Sequence, residues 1–188
     1  MADAQQQPDW MTPAAIAIPK EGYFELQQGR YGPIFPQTPA NYGFSILAKV
    51  KPGREEAVRA YGHTLEAAVK DDPTVLAVLR LHYLRWLIFP IGDDLYFMYQ
   101  GIFDTDFDKY IEDAVTIFGA SGITSVFVNL EGFPEEDWNN VPTFQKFFRD
   151  HQCPSFMEYA EYPRVSAIEV KKALQLKAAF GDMLDQMQ

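Results

Sequence analysis

A chain of 188 residues, 47% hydrophobic and 15% aromatic, can bury one sizeable core and is too apolar to be disordered throughout. Its formal net charge of -10 and pI of about 4.7 repel nucleic acid and anionic membrane, which excludes both as general partners. The one cysteine, Cys153, excludes an internal disulfide, no apolar run reaches the roughly 18 residues of a membrane span, and the N-terminus lacks a leader's basic and apolar regions. A soluble cytoplasmic protein is expected.

Residues 1–40 hold six of the 13 prolines: Pro8, Pro13, Pro19, Pro33, Pro36 and Pro39. This composition predicts an extended arm without its own core. The arm also carries Trp10, Ile16, Ile18, Tyr23, Phe24, Tyr31, Ile34 and Phe35, which a solvated linker does not need. The expectation is an arm that packs on its own domain or wraps a second subunit, followed by one domain over 41–188.

From Asn41 the pattern becomes regular. Phe44, Ile46, Ala48 and Val50 alternate with Ser45, Leu47 and Lys49, which predicts a strand. A helix is expected over 54–70, with Val58, Tyr61, Leu65, Ala68 and Val69 on one stripe. The stretch from Arg80 to Phe103 is two aromatic runs around Pro90-Ile91-Gly92-Asp93-Asp94. It predicts a long β-hairpin at the centre of a sheet, with strands over 80–89 and 95–103. Thr105 is the expected N-cap of the next helix, whose stripe is Phe107, Tyr110, Ile111, Ala114, Val115 and Phe118, with Gly119 as its stop. Residues 120–141 read as irregular, with a short apolar piece from Ile123 to Leu130. A short helix from Pro142 to Arg149 buries Phe144, Phe147 and Phe148. Phe156 to Tyr162 reads as the last strand. Ser166-Ala167-Ile168-Glu169 matches a capping box and opens a long C-terminal helix.

The order β-α-β-β-α-(insert)-β-α predicts an α+β fold, a ferredoxin-like split β-α-β with an added C-terminal helix. Two helices cover one face of a four-stranded sheet. The other face is still apolar, so a second subunit packing sheet to sheet, as a dimeric α+β barrel, is expected to bury it.

The candidate site residues lie mostly on the hairpin. Period two puts His82 on one face with Leu84, Trp86 and Ile88, and Arg85 on the other with Tyr83, Leu87 and Phe89. A buried Arg85 needs a carboxylate, with Glu158, Glu161 or Asp104 as partner, or a bound anion. Tyr83, Tyr96, Tyr99, Tyr159 and Tyr162 fall on predicted strands, where phenols line ligand cavities or fill subunit interfaces. His63 reads as a surface residue. His151 and Cys153 are two apart, but no second Cys exists to complete a metal site, so none is expected. Cys153 is either a nucleophile or a small buried residue beside a strand.

Several segments resemble a known family in order and spacing. Ile46 to Ala57, then Leu81-His82-Tyr83-Leu84-Arg85-Trp86, then Glu131-Gly132-Phe133-Pro134, His151, and Tyr162-Pro163-Arg164-Val165-Ser166-Ala167-Ile168 look like bacterial dimeric α+β barrel proteins. That family is related in fold to the dye-decolourising peroxidase and chlorite dismutase superfamily. The resemblance covers about 42–185 and implies the fold and a homodimer. The Gly-x-x-Asp-Gly motif of the dye-decolourising peroxidases is absent, so their distal Asp has no counterpart here.

Two functions follow as expectations. One is a homodimeric enzyme acting oxidatively on a hydrophobic small molecule, with haem or without a cofactor. His82, Arg85 and Tyr99 are its catalytic candidates, and His151 and Trp86 its cofactor-binding candidates. The other is a binding or accessory protein that docks to a partner through the arm.

Overall fold

The computed structural model describes residues 12–17, 27–34, 42–120, 126–153 and 155–187. The readings on Trp10, Ile18, Tyr23, Phe24, Phe35 and Ile123, and on the side chain of Phe118, lie outside the described residues. The fold is α+β, with four helices and antiparallel sheets.

The main sheet has four strands in the order β5-β6-β4-β7: Leu81–Ile91, Asp94–Phe103, Tyr42–Lys49 and Gln152–Cys153. The hairpin of β5 and β6 is the longest pairing, as its β-branched and aromatic runs predict. Its turn is tighter than expected. Only Gly92 and Asp93 lie between the strands, and Gly92 takes a φ of 61° that L residues rarely adopt.

One face of this sheet carries the core. Phe44, Ile46 and Ala48 of β4, Val50 just after it, and Phe97, Tyr99 and Phe103 of β6 are buried there. Helix α1 (Glu55–Asp71) meets it through Val58, and α2 (Phe107–Ala120) through Phe107, Tyr110 and Ile111. Helix α3 (Val141–Asp150) adds Phe144, Phe147 and Phe148. Phe127, in a 3-10 turn from Val126 to Asn129, ties these together by ring contacts with Phe97, Phe144 and Phe148. Fully burying such a ring contributes roughly 2–3 kcal/mol each.

Three expectations are corrected. The last predicted strand does not join the main sheet. Met157–Ala160 (β8) pairs instead with Ala14–Ala17 (β1) as a separate two-stranded ribbon, and the short β7 takes the fourth position beside β4. Ladder hydrogen bonds do not depend on side chains, so the sequence does not say which partner an apolar strand takes. Asp106, rather than Thr105, caps α2, since its Oδ1 accepts from Lys109 N at 2.8 Å. α2 also runs through Gly119.

The described parts of the arm pack on their own domain. Gln27–Gly29 (β2) and Gly32–Ile34 (β3) form a small hairpin. Its turn is pinned to α2: Arg30 N donates to the buried Asp108, and Arg30 and Tyr31 both bond Glu112. Gln145 of α3 holds the other oxygen of Asp108 at 2.6 Å. The last helix, α4 (Ala167–Gln186), opens with the expected capping box.

Candidate functional site

The open face of the main sheet does not stay bare. The ribbon's β8 strand and the segment to Val165 cross above one end of it, and α4 starts beside them. Between floor and roof lies a cavity of about 620 Å³. That volume suits a small organic molecule.

Strand register builds the floor. Arg85 of β5 stands opposite Gln100 of β6, and Gln100 stands opposite Ser45 of β4. Directly opposed side chains on one face sit about 5 Å apart at Cβ. A guanidinium, an amide and a hydroxyl therefore form one polar row across three strands. The row beside it is Tyr83, Ile102 and Gly43, which also lines the cavity. The next row the other way is apolar: Leu87, Met98 and Leu47. The roof contributes Glu158, Glu161, Met157 and Tyr162. Tyr159 donates to Glu161, and that carboxylate pushes the Tyr159 phenol above its ordinary value.

Arg85 is exposed, not buried as the sequence suggests. Its side chain lies on the open face, so it keeps its hydration and needs no internal counter-ion. The Tyr83 hydroxyl accepts from its Nε and Nη2 at 3.1 and 2.8 Å, and the guanidinium lies 5.3 Å from the Tyr83 ring centre. Asp104, one of the expected partners, is occupied elsewhere. The clamp holds the guanidinium in place, and its remaining N–H donors suit a carboxylate or phosphate.

His82 also leaves the position that period two assigns to it. Leu81 pairs with Phe103 and Tyr83 with Ile102, so His82 is an extra residue in β5. Such a bulge turns a side chain out of the alternation. His82 comes away from the row of Leu84, Trp86 and Ile88 and lines the cavity. Its Nε2 bonds Asp104, whose side chain is only 8% exposed. The other Asp104 oxygen accepts from Ala167 N, at the start of α4, at 2.7 Å. A carboxylate is favoured there by the helix's unpaired N–H groups and dipole.

The other named residues lie apart from the cavity. Tyr99 points into the core, where its hydroxyl bonds that of Tyr110 and burial raises both phenols well above their ordinary value. Trp86 packs against Tyr61 and Phe97, with ring centres 5.7 and 6.0 Å away. His151 caps the C-terminus of α3. Its Nδ1 donates to the Phe147 carbonyl at 2.8 Å, and its ring lies on Phe147. His63 is exposed on α1, as expected. Burial raises the Cys153 thiol, which keeps it protonated and a poor nucleophile.

Haem is the group the family resemblance implies, and the residues named for it do not assemble a seat. His151 and Trp86 stand outside the cavity, and Nε2 of His82 is bonded to Asp104. Among the described residues no cluster of three or more His, Cys, Asp or Glu could hold a metal ion. Among them, too, no helix is long and apolar enough to cross a membrane. The residues that pattern reading missed are Gln100 and Ser45. Each is an ordinary polar residue on a half-solvated strand, and only register places them beside Arg85.

No protein-family model matches the chain, and no curated protein or solved structure matches it either.

Proposed function

We propose that this chain is a ferredoxin-like protein that binds a small amphipathic anion in the cavity between its main sheet and the β1–β8 ribbon. The polar row of Arg85, Gln100 and Ser45 on the cavity floor carries the reading. Arg85 is clamped and offers unused donors, which suits a carboxylate. Ile102, Met157 and Tyr162 suit the apolar body of the ligand, and Glu158 and Glu161 suit a hydroxyl or amine at its far end. The fold assignment is supported by the strand order β5-β6-β4-β7, with α1 after β4 and α2 after β6. The barrel form of this reading sets a second copy over the part of the sheet face that the ribbon leaves open, where Leu87 and Ile91 are 38% and 46% exposed.

The test is calorimetric titration with aromatic and aliphatic carboxylates and their neutral amide analogues. The carboxylates are expected to bind and the amides are not. Arg85→Leu is expected to weaken binding about tenfold or more, the equivalent of one hydrogen bond to a charged group. Equal binding of the amides, or an unaffected Arg85→Leu protein, rejects the proposal.

A second reading, oxidation of the bound molecule without a cofactor, is favoured by the His82–Asp104 pair at the cavity wall. An imidazole oriented by a carboxylate is an acid–base group. Oxygen uptake with a bound carboxylate, lost in His82→Gln while binding persists, supports it. Binding without oxygen uptake leaves the protein a binding module.

A further inference from the structure

The floor of the cavity is uneven. On β5 it carries the long side chains of Arg85 and Tyr83, and on β4 only Ser45 and Gly43. Gly43 lies in the row of Tyr83 and Ile102, beside the row of Arg85, Gln100 and Ser45. A glycine in a strand weakens it, because it loses the most backbone freedom on folding and brings no side chain to pack.

Neither the backbone nor the packing of the described residues requires glycine there. Its φ is not positive, so an L residue fits its conformation. The β4–β6 register runs unbroken across it, so there is no bulge. A Cβ at Gly43 would meet Ile102 Cγ1 at 3.8 Å and the Gly101 carbonyl at 3.9 Å, both ordinary contacts. Gly101 is the contrast, since a Cβ there would strike the Tyr99 ring. A strand glycine with none of these causes marks a place where another group comes close to the backbone. Above Gly43 that place is the cavity.

We infer that Gly43 is a specificity-determining residue, whose bare peptide planes seat the flat ring of an aromatic carboxylate. The inference rests on the carboxylate reading above and names the body of that ligand. Strand spacing and rise put the Cα of Gly43 about 12 Å from that of Arg85. The Arg85 side chain is drawn toward the Gly43 row by its bonds to the Tyr83 hydroxyl, and with one carboxylated ring it fills that span. The roof supplies the ring's other face. Met157, Tyr159 and Tyr162 line the cavity and are 54%, 58% and 59% exposed. A thioether and phenol rings pack well on an aromatic face. A saturated ring is thicker than a flat one, and a side chain at Gly43 takes the layer of space that the flat ring needs.

Calorimetric titration of the full chain with benzoate, cyclohexanecarboxylate and propanoate tests it. The native protein is expected to bind benzoate most tightly of the three. Gly43→Val is expected to cut the preference for benzoate over propanoate about tenfold or more, the effect of a few extra methyl groups in a pocket. Gly43→Ala is expected to cut it by a smaller factor. Arg85→Leu is expected to weaken all three acids and to keep the preference for benzoate. Thermal unfolding separates this role from a structural one. Both Gly43 variants are expected to melt at or above the native temperature, because a side chain in open space stiffens a strand that glycine weakens. A benzoate preference that survives Gly43→Val overturns the inference and leaves the carboxylate reading standing. So does native protein that binds cyclohexanecarboxylate as tightly as benzoate, or a Gly43→Ala protein that melts below the native one. Native protein that binds none of the three, or an Arg85→Leu protein with native benzoate affinity, rejects the carboxylate reading and the inference with it.

Discussion

Asp104, at the end of β6, accepts a 2.7 Å hydrogen bond from the first backbone N–H of α4, at Ala167. Its other oxygen bonds His82, so one nearly buried carboxylate ties the hairpin, the cavity wall and the last helix together. Asp104→Ala removes both bonds and leaves the Ala167 N–H without its acceptor. A loss of about 1–3 kcal/mol is expected in urea unfolding. His82→Ala should cost less, because it leaves the Ala167 bond intact. The double variant should lose less than the sum of the two, since the residues share one interaction. Strict additivity would show that the pair contributes nothing as a pair.

Tyr99 and Tyr110 meet hydroxyl to hydroxyl in the core. Tyr99→Phe or Tyr110→Phe leaves the other phenol buried without that partner, at about 1–3 kcal/mol each. The double change removes both polar groups and should cost less than two single changes. The same ring explains Gly101. A Cβ there would lie 2.7 Å from the Tyr99 ring, which is stacked on Phe44 at 5.2 Å and is not free to move aside. Gly101→Ala is therefore expected to lose about 1–3 kcal/mol by overpacking. Thermal unfolding of the four variants checks both statements, and a neutral Gly101→Ala would mean that the ring shifts without cost.

How much of this was legible follows from the kind of signal each feature leaves. The strands β4, β5 and β6 and the helices α1 to α4 show as periodicity, because one face of each had to be apolar, and the capping box at Ser166 is a local pattern. Arg85 and His82 stand out as ionisable groups inside aromatic runs. The exposure of Arg85 does not, since alternation gives two faces without saying which one is covered. Period two places His82 in the wrong row because a bulge adds a residue without changing composition. Gln100 and Ser45 carry no local mark, because their meaning lies in register with a strand far away in sequence. Met157–Ala160 looked like a sheet strand and is one, but its partner is the arm.

Carboxyls held by hydrogen bonds shape the acid limb of stability, Glu112 and Glu169 among them. The Tyr31 hydroxyl, and after it Arg30, hold Glu112 below the usual carboxylate range. The Ser166 backbone N–H and hydroxyl do the same for Glu169. A carboxyl with a lower pKa in the folded chain binds fewer protons there than when unfolded. Its contribution is therefore complete above the ordinary value of about 4.3 and is lost as the pH falls through the folded value. Glu112→Gln should lower stability at neutral pH and flatten the decline in acid. Urea midpoints across the acid range check this. An unchanged slope would mean that the arm hairpin is not held to α2 through Glu112.

The polar row makes a graded prediction. Arg85 is exposed and, among the described residues, bonds the neighbouring Tyr83 hydroxyl alone, so Arg85→Leu should change stability by less than about 0.5 kcal/mol. Its loss should appear in ligand affinity instead. Gln100→Leu and Ser45→Ala remove neutral donors, each worth about 0.5–1.5 kcal/mol, and should weaken a carboxylate by smaller factors than Arg85→Leu does. Tyr83→Phe frees the guanidinium from its clamp and should weaken binding without removing any charge. The expected order of affinity loss is Arg85→Leu first, then Tyr83→Phe and Gln100→Leu, then Ser45→Ala. Calorimetry on the five proteins, native included, reads that order directly. A Ser45→Ala effect larger than that of Arg85→Leu would place the anion on β4, beside β7, and move the site away from the hairpin.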